Sequence, residues 1–417
     1  MSLRFCFGPS GSGKSYKVYS EIIERSMKSP KQNFLIIVPD QFTMQTQKEL
    51  VGMHPCEGIM NVDVLSFGRL SHRIFEEVGG EKIPVLDDTG KSLVLQRVAA
   101  SIKEELPALG SHLHKQGYIH EVKSAISEFM QYGLSVEDVG KLTEFAQKRG
   151  ALYYKLKDMK VIYDCFQEYL SGTYLTAEEL LGALEKSVEE SDSVRGSVIV
   201  LDGYTGFTPV QMSLLRKLLV LTEDIYVTLT IDGKENLYAM DAEYQLFHLT
   251  KKTIAGFRSL SEETKITMNP PIILKEAGKY RFKEASALAF LESQIFRHSN
   301  QFYEKITEEL RLYAAQNPRA EAEMVGREIQ RLVRDQGMRY RDMAVVTGNL
   351  EVYAGQMEQV FARLNIPGFI DQKKDVLKNP FVEFLRALLA VLQENFTYES
   401  MFRLLRSGMT GVTMEET

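Results

Sequence analysis

Eight consecutive residues near the N-terminus carry the most specific chemistry in this 417-residue chain. Gly8-Pro9-Ser10-Gly11-Ser12-Gly13-Lys14-Ser15 fills every fixed position of G-x-x-x-x-G-K-[ST]. Glycines at this spacing let backbone N–H groups curl round a polyphosphate, a lysine supplies a point charge to its outer phosphates, and the final hydroxyl takes a place on Mg²⁺. ATP and Mg²⁺ are therefore the expected ligands. Such a loop works with a carboxylate at the end of another strand, and Ser197–Leu201 is an apolar run that ends in Asp202. The expected nucleotide site is Gly8, Pro9, Ser10, Gly11, Ser12, Gly13, Lys14, Ser15 and Asp202, with Ser15 and Asp202 as metal ligands. Gly203 stands where a water-activating Glu would follow, so no catalytic residue is assigned.

The elements that must hold these residues can be read around them. Leu3, Phe5 and Phe7 alternate as a strand, the loop follows, and Val18, Ile22 and Ile23 mark one helix face up to Ser29-Pro30. Phe34–Val38 is a second strand and Val62–Leu65 a third. Ser66 then caps a helix that stops at Gly79-Gly80. A strand–helix–strand unit of this length implies parallel pairing. From Pro84 to Asp192 strand texture gives way to helical spacing, with Leu152, Leu156, Met159, Tyr163, Phe166 and Leu170 on one face. It returns at Ser197–Leu201 and Asp224–Ile231, the first run leading to a helix capped by Thr208 with Pro209 and Gln211 behind it. A further α/β texture starts near Leu310, with a strand expected at Met343–Thr347. The chain is thus read as α/β, with a first lobe over 1–83 and 193–300, an all-α insertion over 84–192, the start of a second lobe over 301–378, and the start of a further helical domain over 379–417.

Composition bounds the rest. Hydrophobic residues at 44% and charged residues at 25% exclude wholesale disorder. No apolar run reaches the length of a membrane helix and no signal peptide is read before Gly8, so no membrane partner is expected. Cys6, Cys56 and Cys165 are too scattered for a disulfide framework or a zinc site, which suggests a reducing, cytoplasmic setting. A net charge of −6 means that any nucleic-acid contact rests on a local patch. Arg327, Arg331 and Arg334 share a helix face, but Glu323 lies one turn before Arg327 and a solvated face accounts for them. His112, His114 and His120 lie on a polar stretch without a second ligand cluster, so no metal is assigned there.

Several stretches resemble a known family. Gly8–Ser15, Val38-Pro39-Asp40-Gln41-Phe42-Thr43, Val64–Leu70 and Leu201-Asp202-Gly203-Tyr204-Thr205-Gly206-Phe207-Thr208-Pro209 are similar to AddB, the B subunits of bacterial AddAB-type ATP-dependent helicase–nucleases. Phe369-Ile370-Asp371, Asn379-Pro380-Phe381 and Leu404–Gly411 extend the resemblance along the chain. It implies a P-loop NTPase with superfamily 1 helicase-like RecA lobes, an AddA-type motor subunit as partner in a heterodimer, and double-stranded DNA ends processed for recombinational repair. The family holds single-stranded DNA and recognises the Chi sequence. Its C-terminal nuclease domain with a four-cysteine iron–sulfur cluster has no counterpart here, since three unclustered cysteines cannot build one. The resemblance assigns DNA-facing roles to Thr43, Ser66, Phe67 and Arg69, whereas the residues by themselves read equally as a helix cap at Ser66 and a core ring at Phe67. With Gly203 in place of Glu, and no phosphate-sensing Arg in Gly348–Tyr353, the motor is expected to be degenerate. An active superfamily 1 translocase and, from a different class, a P-loop small-molecule kinase remain as alternatives; the 188 positions between Lys14 and Asp202 exceed what a compact kinase core needs.

Overall fold

The alternating Leu3-x-Phe5-x-Phe7 run forms a strand because both of its faces are covered and its ladder is filled on both sides. In a computed structural model of the chain, residues 1–79, 84–113, 115–274, 281–297, 300–372 and 376–411 are described; Gly80, His114 and 412–417 lie outside them. Strand β1 (Ser2–Gly8) leads into helix α1 (Lys14–Lys28), followed by β2 (Phe34–Ile37), α2 (Thr43–Met53), β3 (Val62–Leu65) and α3 (Phe67–Val78). Then come β4 (Val85–Leu86), α4 (Asp88–Ser101), α5 (Gln116–Gln131), α6 (Val136–Phe145), α7 (Ala151–Leu170), β5 (Leu175–Thr176) and α8 (Ala177–Ser187). The sheet resumes with β6 (Val198–Leu201), α9 (Pro209–Leu221), β7 (Asp224–Thr230), α10 (His248–Thr264), β8 (Thr267–Met268) and β9 (Ile272–Ile273), before α11 (Ser286–Gln294).

One parallel sheet runs β3–β2–β6–β7–β1, with β8 and β9 both alongside β1. Its register pairs Ile36 with Val200, Leu201 with Val227, and Cys6 with Thr228. The strands read as continuous β-branched and aromatic runs because helices cover both faces. Phe5, Phe7, Ile199, Leu215 and Phe257 fill one layer, and Val18, Ile22, Ile36 and Val200 the other. The fold is α/β, built on a parallel sheet.

Between α3 and β6 the chain is helical apart from β4 and β5, a two-residue parallel pair that sets the entry of this segment beside its exit. Leu175 N–H donates to Pro84 C=O at 3.1 Å, extending that clasp. Val98, Ile126, Ile162 and Phe166 build a separate core there. The α7 stripe is buried only from Met159 onward, and Leu152 lies exposed. Helix α8 turns back to the sheet, where Leu184 joins the layer of α3 and α9.

The chain divides into two compact units, Met1–Leu310 and Arg311–Thr417. The second holds α12 (Pro318–Gln336), α13 (Leu350–Arg363), α14 (Pro380–Gln393) and α15 (Tyr398–Leu405), with Ala322, Met357 and Val360 as its buried cluster. The expected strand at Met343–Thr347 is not formed. No described residue of this unit lies in a strand, so the segment has no ladder to join, and Val346 is 92% exposed. Arg327, Arg331 and Arg334 each face a carboxylate, from Glu323, Glu328 and Asp335.

Candidate nucleotide and nucleic-acid site

The loop Gly8–Ser15 leaves the carboxyl end of β1 and ends in the first turn of α1, the place where open α/β sheets gather ligands. Gly13 precedes the helix at φ 85°, a left-handed conformation that a residue with a Cβ adopts only at a cost. Lys14 folds back over the loop, its Nζ donating to the carbonyls of Gly8 at 3.0 Å and Pro9 at 2.9 Å. The Ser12 hydroxyl is buried in the loop without a hydrogen-bond partner among the described residues. A buried donor left open at the mouth of a helix N-terminus suits an anion. Burial holds the Lys14 ammonium below its ordinary value, with Arg281 acting in the same direction and Cys6 and Asp202 against it. Burial also pushes the neighbouring Cys6 thiol up to about 12, so it stays protonated.

Asp202 follows β6 directly and is only 7% exposed. The register that sets Leu201 opposite Val227 places Asp202 beside Thr228, whose hydroxyl donates to its Oδ1. Tyr19 of α1 donates to Oδ2 at 2.5 Å. The structure thus brings the strand-end carboxylate and the phosphate-loop helix together, as the spacing of the motifs requires, and joins them through two hydroxyls. Sequence reasoning missed both. A tyrosine beside the aliphatic Val18, Ile22 and Ile23 was the one visible hint of a buried polar contact.

Arg281 is the other missed residue. Its side chain lies over Gly11, with Nε 2.9 Å from where a Cβ on that glycine would stand, and its Nη1 reaches Ser10 Oγ at 3.5 Å. Nothing in its own stretch announces that it returns to the loop from more than 260 positions away.

The loops after β2, β3 and β6 meet at the same end of the sheet. Gly203, at φ 79°, would set a Cβ 3.4 Å from Pro39 and 3.7 Å from the Phe42 ring. Of the residues assigned to DNA, Thr43 is buried and its hydroxyl donates to the Asp40 carbonyl at 3.0 Å. Ser66 is buried as the cap of α3, accepting from Arg69 N–H at 3.3 Å. The Phe67 ring is 6% exposed and packs on Tyr204 and Phe207, with centroids 5.6 and 6.5 Å away. Arg69 is exposed. Tyr204 is held above its ordinary pKa by burial and by the Asp40 charge. The Gly203–Phe207 stretch therefore wedges its two aromatic rings under α3, while Thr208 starts α9 through a capping box with Gln211.

The three cysteines lie apart, Cys6 in β1, Cys56 in the loop before β3 and Cys165 in α7, and do not fit an iron–sulfur cluster. Among the described residues no helix is long and apolar enough to cross a membrane.

The family description "ADDB, N-terminal" matches residues 5–292. The B subunit of the ATP-dependent helicase/deoxyribonuclease of Lachnoclostridium phytofermentans is 43% identical over 100% of this chain and 36% of its own length. Proteins of the same name from Caldanaerobacter subterraneus and Acetivibrio thermocellus are 35% and 31% identical over the same shares. The chain spans about a third of the length of these curated relatives. With the matched segment covering the sheet, the phosphate loop and the Asp202 strand, the chain belongs to the AddB family, in its N-terminal region.

Proposed function

We propose that this chain is the helicase-like part of the B subunit in an ATP-dependent helicase–nuclease, a P-loop NTPase that binds ATP through Gly8–Ser15 but does not translocate. One observation carries the reading: a phosphate loop built for an anion stands beside a strand end whose next residue, Gly203, has no side chain and a backbone that disfavours one. Water activation then has no general base in the usual place, a loss of about 10²–10⁴-fold in rate. The relatives are B subunits by name, which supports an AddA-type motor subunit as partner, with double-stranded DNA ends as substrate, a role in recombinational repair and a cytoplasmic setting. The domain assignment proposed from the sequence goes with it: 1–83 and 193–300 as the first RecA-like lobe, 84–192 inserted, and 301–378 and 379–417 opening further domains.

Single-stranded DNA would cross the loops after β2 and β3, where Arg69 offers an exposed cation and Thr43, Ser66 and Phe67 hold the loops in place. The test is a nucleotide-binding and steady-state hydrolysis assay on the chain with and without single-stranded DNA. ATP binding that Lys14→Ala removes, with hydrolysis near background, is the expected result. DNA-stimulated turnover at tens per second, within the usual kcat range for motors, would favour the translocase instead. In fluorescence anisotropy, Arg69→Ala should weaken DNA binding and flatten its salt dependence by about one phosphate contact.

A further inference from the structure

A phosphate loop of this kind ordinarily shares its triphosphate charge between a lysine and Mg²⁺, which is held by the loop hydroxyl and by a strand-end carboxylate. Ser15 and Asp202 occupy those positions, but the donors do not fit the metal. Both oxygens of Asp202 already accept hydrogen bonds, from the hydroxyls of Tyr19 and Thr228. Those two residues are 2% and 3% exposed, so a hydroxyl that gave up its acceptor would be left buried and unpaired. Neither is an anion that could itself serve the cation, since burial and the Asp202 charge push the Tyr19 hydroxyl above its ordinary pKa. Among the described residues the Ser15 hydroxyl makes no hydrogen bond to Asp202.

A second cation stands at the same loop. Arg281 lies over Gly11 with its guanidinium at Ser10, on the side where the loop is open, and a guanidinium binds phosphate oxygens bidentately. We propose that this chain holds its triphosphate without a divalent metal. Lys14 and Arg281 share the phosphate charge, and Asp202 serves as an internal tie between α1, β6 and β7. The proposal rests on Gly8–Ser15 being a triphosphate site, and the experiment separates the two.

Fluorescent mant-ATP is titrated into the 417-residue chain in excess Mg²⁺ and in excess EDTA. The two dissociation constants should agree within about fivefold, and exposed Arg281→Ala should weaken binding in EDTA by about tenfold or more. Tyr19→Phe, which frees one Asp202 oxygen, should make binding respond to Mg²⁺ by more than about fivefold, with circular dichroism confirming the fold. Binding weakened in EDTA beyond that margin, or an Arg281→Ala chain that binds as before, overturns the metal-free reading and leaves the phosphate loop standing. Absence of binding in both conditions overturns both.

Discussion

Gly203 sits at φ 79°, and a Cβ there would press on Pro39 and Phe42. The missing carboxylate is therefore built into the backbone and is not a simple side-chain deletion. Gly203→Glu should not restore ATP hydrolysis, because the new side chain would have to move the turn that presents it. It should destabilise the chain by about 1 kcal/mol or more, the cost of a left-handed conformation for a residue with a Cβ. Urea unfolding and a steady-state assay read the two effects, and hydrolysis that rises with stability unchanged would show that the turn yields. Gly8–Ser15 and Asp202 were legible in sequence because each motif is local: a fixed spacing, or a strand followed by a carboxylate. Tyr19, Thr228 and Arg281 were not, because their roles arise from register and chain return. No window of sequence contains Tyr19 with Asp202, or Arg281 with Ser10. Phe67 shows the same limit, since only the fold reveals Tyr204 and Phe207 closing over its ring.

Elements whose partners lie in the same sheet were read nearly to the residue, because continuous apolar runs and capping residues carry the information locally. Ser66 accepts from Arg69 N–H and opens α3, Gly79 closes it in a left-handed conformation, and Thr208 opens α9. Met343–Thr347 has the same β-branched texture and forms no strand, since a strand also needs a neighbour to bond and no described residue of its unit supplies one. Texture reports burial preference, and pairing is a property of the whole sheet. The start of α9 has a further consequence, because Gly203–Phe207 is stretched between β6 and that cap. Gln211 N–H donates to Thr208 Oγ1 at 3.3 Å, and Gln211 Oε1 accepts from Thr208 N–H at 2.9 Å. Thr208→Ala breaks this box and should cost about 1 kcal/mol. The expected signature is a lower urea midpoint with an unchanged slope, since the same surface is exposed on unfolding. A changed slope would mean that the Tyr204–Phe207 wedge had already come loose in the native state.

At the scale of the molecule, the net charge of −6 leaves no general attraction for nucleic acid, so contacts must come from single exposed cations such as Arg69. The apolar material is distributed just as unevenly. In Met1–Leu310 the sheet is covered on both faces, with Leu3, Phe7, Ile36, Val200 and Phe257 inaccessible to solvent, and the helical segment buries Ile162 and Phe166 completely. In Arg311–Thr417 the buried cluster is Ala322, Met357 and Val360, while Val346 is 92% exposed, Leu389 and Leu392 are 65%, and Phe381 is 54%. Each fully buried large apolar side chain contributes about 1.5–3 kcal/mol, against about 1–2 kcal/mol of backbone entropy per ordered residue. A unit with so few buried side chains for its length therefore has little net stability of its own, however helical its sequence. Residues 1–310 produced alone should melt cooperatively and keep the nucleotide affinity of the longer chain, since the phosphate loop, Asp202 and Arg281 all lie within them. Residues 311–417 produced alone should show helical circular dichroism but a broad, non-cooperative melt, with exposed apolar surface that binds a hydrophobic dye. A sharp thermal transition in the second fragment, or a first fragment that no longer binds mant-ATP, would show that stability is shared between the units and does not reside in the first.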